Sequence, residues 1–270
     1  MYSDFHNDFL THERAWKLLK EYERKRYSVV GAVFRGNRSF ETIKGIAEKF
    51  MGLKPRSCDF AFEDIGFDSF ENVVSLIELR PLYVTLTWNG ENSLGYGCSH
   101  NEKLKEKGLK AIEILNEYGV AVDTAHICEK GFCDVLEKAD KVINSHTCFT
   151  SVCEHKRNLK TEQIKALVEK KGIVGLALYS PFVCGKEKAD VYDVFRQIDF
   201  FCERFSYENL VLGTDFYGAD SFPAGLNDYD GINNLVVLMR EQGYPEKVVK
   251  AIICENLKRF ITQTRNGQGK

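Results

Sequence analysis

INSHTCFTSVCEHKRN, residues 143–158, follows a valine and reads as the end of a short buried strand that leaves its sheet at His146. His155 and Arg157 follow within one loop. A lone histidine at a strand end is ordinarily a hydrogen-bonded structural residue. Two histidines and an arginine behind one strand make the neighbouring strand ends worth comparing, and the same pattern recurs on both sides.

Going upstream, residues 120–125 (VAVDTA) form an apolar strand that closes on His126, with a helix over 133–138 before the next strand. Residues 83–88 (YVTLTW) precede a glycine-rich polar loop over 89–101, a candidate lid, and a striped helix over 105–118 that Gly119 terminates. Residues 58–63 (CDFAFE) alternate and end at Glu63, ahead of a helix over 69–78. Residues 27–34 (YSVVGAVF) are β-rich and lead into a helix over 40–51. At the N-terminus DFHND sets His6 and Asp8 on one side of a short strand, followed by an amphipathic helix over 13–27. Downstream, IVGLAL (173–178) and LVLGT (210–214) complete the series, the latter ending at Asp215, with helices over 161–170, 191–205 and from Gly231 and Pro245.

Eight strands alternating with helices predict a closed parallel (β/α)8 TIM barrel, whose site lies at the C-terminal strand ends. Those ends carry His6, Asp8, Glu63, Trp88, His126, His146 and Asp215, with His155 and Arg157 just beyond the sixth. Residues 1–262 are expected as a single catalytic domain and 263–270 as a disordered tail. Trp88 is expected to be a rim aromatic belonging to the core, and His12 and His100 to be surface residues.

At 270 residues, 44% apolar and 28% charged, the chain suits one large core of an ordinary globular protein. The formal charge of −2 argues against nucleic acid as a partner. No apolar run suggests a membrane span and MYSDFHNDFL has no signal-peptide character, so a cytoplasmic protein is expected. Nine cysteines, an odd count, fit reduced thiols better than a disulfide framework. The C-x4-C pairs Cys128/Cys133 and Cys148/Cys153 could be read as a four-thiolate zinc site, but buried apolar thiols are the preferred reading.

Carboxylates and imidazoles without a leading serine or cysteine nucleophile point to water activation by divalent metal. His6, Asp8, Glu63, His146 and His155 are too many for one catalytic zinc that keeps an open position. They suit two ions sharing a carboxylate, with Glu63 the natural bridge. Zinc is preferred for such a ligand mixture, with manganese or cobalt as substitutes.

In this order, DFHND, FAFED, VTLTWN, GVAVDTAH, INSHT, CEHKRN, GTDFYG and the closing ICENLKRF resemble the membrane dipeptidase (renal dipeptidase) family of zinc metallopeptidases, over nearly the whole chain. Amidohydrolase-like barrels usually open with H-x-H, whereas this family opens with H-x-D, as here. The resemblance implies a metallo-dependent hydrolase barrel with one zinc on His6 and Asp8, another on His146 and His155, Glu63 bridging, and a hydroxide between the ions. It also implies that His126 steadies the developing oxyanion, that Arg157 grips the substrate carboxylate, and that Asp215 is the general acid/base. The expected reaction is hydrolysis of a dipeptide with a free C-terminal carboxylate, and a homodimer is expected by analogy. From sequence alone a surface ion pair is the lesser alternative for Arg157, and a helix cap that for Asp215.

The chain is short for that family, and DIGF follows Glu63 where relatives continue with glycines, which leaves substrate range open. Gln197 receives no role. The alternatives are hydrolysis of another small amide, a β-lactam or an N-acyl amino acid, on the same metals, and a barrel that keeps the fold without turnover.

Overall fold

Eight parallel strands follow one another around the sheet in chain order: β1 (Ser3–Asn7), β2 (Ser28–Phe34), β3 (Asp59–Glu63), β4 (Tyr83–Thr85), β5 (Ala121–Asp123), β6 (Val142–Thr147), β7 (Val174–Leu176) and β8 (Leu210–Leu212). This computed structural model describes residues 1–186 and 188–268. Helices cover the outside, as the alternation predicts for a (β/α)8 barrel. Their ends are fixed locally: Ser39 accepts from the amide of Thr42 at the start of Phe40–Leu53, and Asp190 caps Val191–Arg204 through the amides of Tyr192 and Asp193.

Phe5, Val30, Ala61, Tyr83, Ala121, Ile143, Ile173 and Val211 form one buried cluster, one residue from each strand or its first approach, and fill the barrel's interior. A larger cluster lies between strands and helices, where Ile198 and Phe201 of Val191–Arg204 are fully buried. Each such side chain contributes about 1.5–3 kcal/mol by leaving water. Gly175 and Gly213 lie directly against the Ser145 carbonyl, so any side chain there would push β6 away from β7 and β8.

No ladder links β8 to β1 among the described residues. Instead the seam is closed by single bonds and one buried carboxylate. Asp215 N donates to His6 O at 3.1 Å, and Asp8 N donates to Phe216 O at 2.9 Å. Asp4 accepts from the Thr214 amide (2.8 Å), the Thr214 hydroxyl (2.6 Å) and the Tyr229 hydroxyl (2.6 Å). Closing the barrel this way brings His6, Asp8 and Asp215 side by side.

Register shifts interrupt β1 between Asp4 and Asn7, and β6 between Asn144 and Thr147. Such irregularities re-aim side chains, and these two fall under His6 and His146. β4 is shorter than its sequence suggests, because the Leu86 carbonyl is taken by the Asn92 side chain rather than by a neighbouring strand. The tail expected to be disordered from 263 onward is helical up to Gln268, within Asn256–Gln268. There Arg265 pairs with Asp59, and Gln268 donates to the Pro81 carbonyl at 3.0 Å. Gly269 and Lys270, which the same expectation included, lie outside the described residues.

Candidate metal centre

His6 at the end of β1 is fully buried, and its Nε2 has no hydrogen-bond partner. The other ring nitrogen, Nδ1, lies 2.9 Å from the Tyr83 hydroxyl, which spends its own hydrogen on the Phe5 carbonyl. Tyr83 therefore accepts from Nδ1–H and leaves a lone pair on Nε2. That lone pair faces Glu63 Oε2 at 3.7 Å, Asp8 Oδ1 at 3.8 Å and Asp215 Oδ1 at 3.9 Å. Asp8 Oδ1 is likewise buried without a partner. Two ligands of one tetrahedral zinc stand roughly 3.3 Å apart, given bonds of about 2 Å, so these spacings need only a small contraction around an ion.

The same logic fixes His146 and His126. Ser145 Oγ donates to Asp123 at 2.6 Å and so accepts from His146 Nδ1, 2.9 Å away. His126 Nδ1 donates to Asn89 Oδ1 at 2.8 Å. Both Nε2 atoms are thus acceptors, yet they lie 2.8 Å from each other, and His126 Nε2 is 3.0 Å from Glu63 Oε1. These three atoms converge closely enough for a shared cation to satisfy them, with Arg157 also donating to His146 Nε2 at 2.9 Å. Among the described residues, His6, Glu63 and His146 form one group able to hold a metal, and His6, Asp8 and Asp215 form another.

Electrostatics agrees with the geometry. Burial, then Arg157, lowers His6 to about 3, and burial also holds His126 and His146 well below the usual imidazole range. All three stay neutral, the form that ligates metal. Burial raises Asp8 to about 7, while burial followed by the charges of Asp8 and Asp215 pushes Glu63 well above a normal carboxyl. Asp215 is raised by burial and by Asp8. Crowded carboxylates without a cation hold protons, and a divalent ion reverses that balance.

His126 and Asp215 both have left-handed backbones, with φ of 64° and 62°. Non-glycine residues held in this region concentrate at functional sites. A Cβ at Gly218 would collide with the carboxylates of Asp8 and Asp215, so glycine keeps the space above them open.

His155, read from sequence as a metal ligand, and Arg157, read as the grip on the substrate carboxylate, both sit in the loop after β6. Neither His126 nor His155 is in the two metal-capable groups, but His126 Nε2 lies against His146 and Glu63, whereas the His155 ring lies 4.7 Å from that of Phe182 and its Nδ1 accepts from the Arg157 amide. The imidazole beside His146 is His126, because the loop after β6 carries His155 outward. Arg157 does not line the cavity over the cluster. It is buried, with one terminal nitrogen donating to His146 Nε2 at 2.9 Å, its guanidinium over Phe182, and its Nε unpartnered. His155 and Arg157 instead line a neighbouring hollow with Cys98 and Thr124.

The cavity over the cluster holds about 600 Å³ and is bounded by Asp8, Glu63, His126 and Asp215 below, and by His12, Phe34, Arg38, Trp88 and Tyr217 above. Trp88, expected in the core, is 45% exposed on this rim, and His12, expected on the surface, packs tilted against Tyr217 with ring centroids 4.9 Å apart. Sequence reading missed Tyr83, Asn89 and Ser145, which fix the histidine tautomers. For Ser145 and Asn89 the available signal was a hydroxyl beside a strand-end histidine in sequence and an amide after the neighbouring strand; Tyr83, which reaches His6 across the barrel, had none. Gln197 is structural, accepting from the Phe149 amide and donating to the Val183 carbonyl. The cysteines are free, and Cys128 and Cys148 donate to separate carbonyls, so they form no thiolate cluster among the described residues.

Comparison with known proteins adds three findings. Residues 65–269 match the model of the membrane dipeptidase family, peptidase family M19. Dipeptidase tcpJ of Claviceps purpurea is 28% identical over 192 residues, covering 68% of this chain and 45% of its own length, and an uncharacterized dipeptidase of Schizosaccharomyces pombe is 28% identical over 169 residues, covering 59% and 41%. The matched region thus spans less than half the length of these fungal relatives. Among solved structures, a Rhodobacter sphaeroides metallopeptidase liganded with a phosphinate mimic of L-Ala-D-Ala superposes with a TM-score of 0.83 at 19% identity, covering 97% of this chain and 99% of that one. A family M19 metallopeptidase described as dipeptidase AC gives 0.84 at 20% identity, covering 97% and 98%. At these identities the likeness establishes the barrel fold.

Proposed function

Because this chain belongs to the membrane dipeptidase family, peptidase family M19, we propose that it is a metal-dependent dipeptidase that hydrolyses the peptide bond of small dipeptides. The observation that carries this reading is the set of buried lone pairs converging on Glu63 from His6, His126 and His146. The donor set of imidazoles and carboxylates fits two zinc ions, one held by His6, Asp8 and Glu63 and the other by Glu63, His126 and His146, with manganese or cobalt as substitutes. When bound, such ions acidify a water and polarise the scissile carbonyl.

The chain's own residues do the rest. The water oxygen adds to the carbonyl carbon, the C–N bond breaks, and the departing amine takes a proton. Asp215, 3.9 Å from His6 Nε2 at the cavity floor, takes the proton that the water sheds on addition and passes it to that amine. Tyr83, Ser145 and Asn89 hold the three rings in the ligating tautomer. The phosphinate dipeptide mimic bound by the Rhodobacter sphaeroides protein supports a dipeptide-sized substrate here as well.

Stripping the protein with a chelator and assaying a panel of dipeptides tests the reading. Activity should vanish and return with zinc; hydrolysis undiminished after complete metal removal would refute it. Tyr83→Phe removes the acceptor of His6 Nδ1–H, so metal affinity should fall by about 10- to 100-fold while the fold is kept. Zinc titration against a competing chelator reads this directly.

A further inference from the structure

We propose that Asp123 is a positioning residue for the metal centre: its buried carboxylate takes the Ser145 hydrogen and thereby keeps His146 protonated at Nδ1, with the Nε2 lone pair left for metal. The inference deepens the dipeptidase reading above and rests on the metal centre it assumes.

Three neighbouring strands meet beneath the cluster. Asp123 ends β5, Thr85 ends β4 in register with it, and Ser145 comes from β6. The Asp123 side chain is fully buried and is met by four donors. Oδ1 accepts from the amides of Ala125 (3.0 Å) and Ser145 (2.8 Å), and Oδ2 accepts from the hydroxyls of Thr85 and Ser145, both at 2.6 Å. Burial raises the carboxyl, and these four bonds oppose that rise.

The direction of the Ser145 bond matters because one hydroxyl has one hydrogen. Ser145 Oγ stands between Asp123 Oδ2 and His146 Nδ1, the latter 2.9 Å away. A carboxylate only accepts, so the hydrogen goes to Asp123 and the oxygen accepts from Nδ1–H. The far side of the ring gives the same answer independently: Arg157 donates to His146 Nε2 at 2.9 Å, and a guanidinium cannot accept. The His6 ring is set by a different residue, Tyr83 at 2.9 Å, with Ser145 Oγ at the longer distance of 3.5 Å. Control by Asp123 therefore falls on His146.

Asparagine at this position reverses the relay. The two backbone amides at Oδ1 are fixed donors and hold the side-chain oxygen, so the NH2 group takes the place of Oδ2. It donates to Ser145, whose own hydrogen is then turned to His146 Nδ1. That moves the ring hydrogen to Nε2, which faces His126 Nε2 at 2.8 Å and can no longer bind metal. A substitution of equal size thus disables a ligand through an intervening hydroxyl.

The test compares wild type, Asp123→Asn, Ser145→Ala, Asp123→Asn/Ser145→Ala and Thr85→Val as full-length metal-stripped protein, with melting temperatures to confirm folding. Two readouts are independent of turnover. Zinc affinity is measured against a competing chelator, and the ring hydrogens are located from nitrogen resonances of isotope-labelled histidine, His146 being identified by its absence from a His146→Ala sample. Wild type should show a protonated Nδ1 and a bare Nε2 at His146. Asp123→Asn should exchange the two and lower zinc affinity about 10- to 100-fold, with the His6 signals unchanged. Ser145→Ala should cost roughly tenfold or less, because no hydrogen is forced onto Nε2. The double variant should regain the Ser145→Ala affinity, since the misplaced hydrogen has no hydroxyl to pass through; a packing role predicts a double variant at least as weak as Asp123→Asn. Thr85→Val, which deletes an equally short bond to the same oxygen, should stay within about threefold. A hydrogen on His146 Nε2 in wild type overturns the proposal, as does an unchanged ring form or zinc affinity in Asp123→Asn, or a double variant no better than the single. Unfolding of Asp123→Asn marks a purely structural role and overturns it too. The dipeptidase reading is judged separately, by chelator-sensitive hydrolysis in wild type: it can fail with the Asp123 results intact, and stand with them overturned.

Discussion

Glu63→Gln is expected to lower kcat/KM by at least about a thousandfold and to empty the centre of metal, while leaving the metal-free protein as stable as before. One carboxylate oxygen faces His6 Nε2 at 3.7 Å and the other faces His126 Nε2 at 3.0 Å, so a single side chain serves both halves of the cluster. Glutamine keeps the shape but turns one of those acceptors into a donor, which no cation tolerates. Stability should hold for a specific reason. Burial and the neighbouring carboxylates push Glu63 well above its ordinary range, which favours the neutral form in the metal-free protein, so a neutral amide of the same size replaces it at little cost. Metal content, turnover and melting temperature measured on one preparation separate loss of metal from loss of fold.

The second large effect is a contrast between two histidines. His126→Ala should cost about a hundredfold or more in kcat/KM and lower metal content, because it removes a lone pair 2.8 Å from His146 Nε2 and 3.0 Å from Glu63. His155→Ala should stay within about threefold, since its ring packs on Phe182 and its Nδ1 only caps the Arg157 amide. Equal losses at both positions would put the second ligand set back in the loop after β6. Kinetics and metal counts on the two variants, side by side, decide the matter.

That contrast also shows where sequence reading reaches its limit. The barrel was legible, because apolar strands and striped helices alternate with little ambiguity, and the strand-end position of His6, Glu63, His126, His146 and Asp215 followed from the alternation. What alternation does not encode is where a loop points. His155 follows His146 by a short loop, and nothing in the spacing distinguishes a loop folding back over the rim from one turning outward onto Phe182. His126 carries the opposite lesson: its left-handed backbone turns the ring inward at the end of β5, a conformation no local pattern announces. Arg157 reads as an exposed anion-binding group, yet it is buried behind His146, since the same loop that carries His155 outward tucks it underneath.

The residues that fix tautomers were hidden for a related reason. Tyr83 lies in a strand read for its apolar character, but its hydroxyl crosses the barrel interior to reach His6. Asp4 reads as one more polar residue before a histidine, and only the closed barrel shows it joining the Thr214 and Tyr229 hydroxyls across the seam. Such contacts depend on three-dimensional closure between residues more than 75 positions apart, as the 77-residue separation of His6 and Tyr83 illustrates.

Anomalous diffraction at the zinc edge from crystals of metal-loaded protein addresses the centre most directly. Two peaks are predicted, one beside His6 and Asp8 and the other beside His126 and His146, with a Glu63 oxygen turned to each. A single peak, or a peak ligated by His155 with Glu63 turned away, would contradict the account.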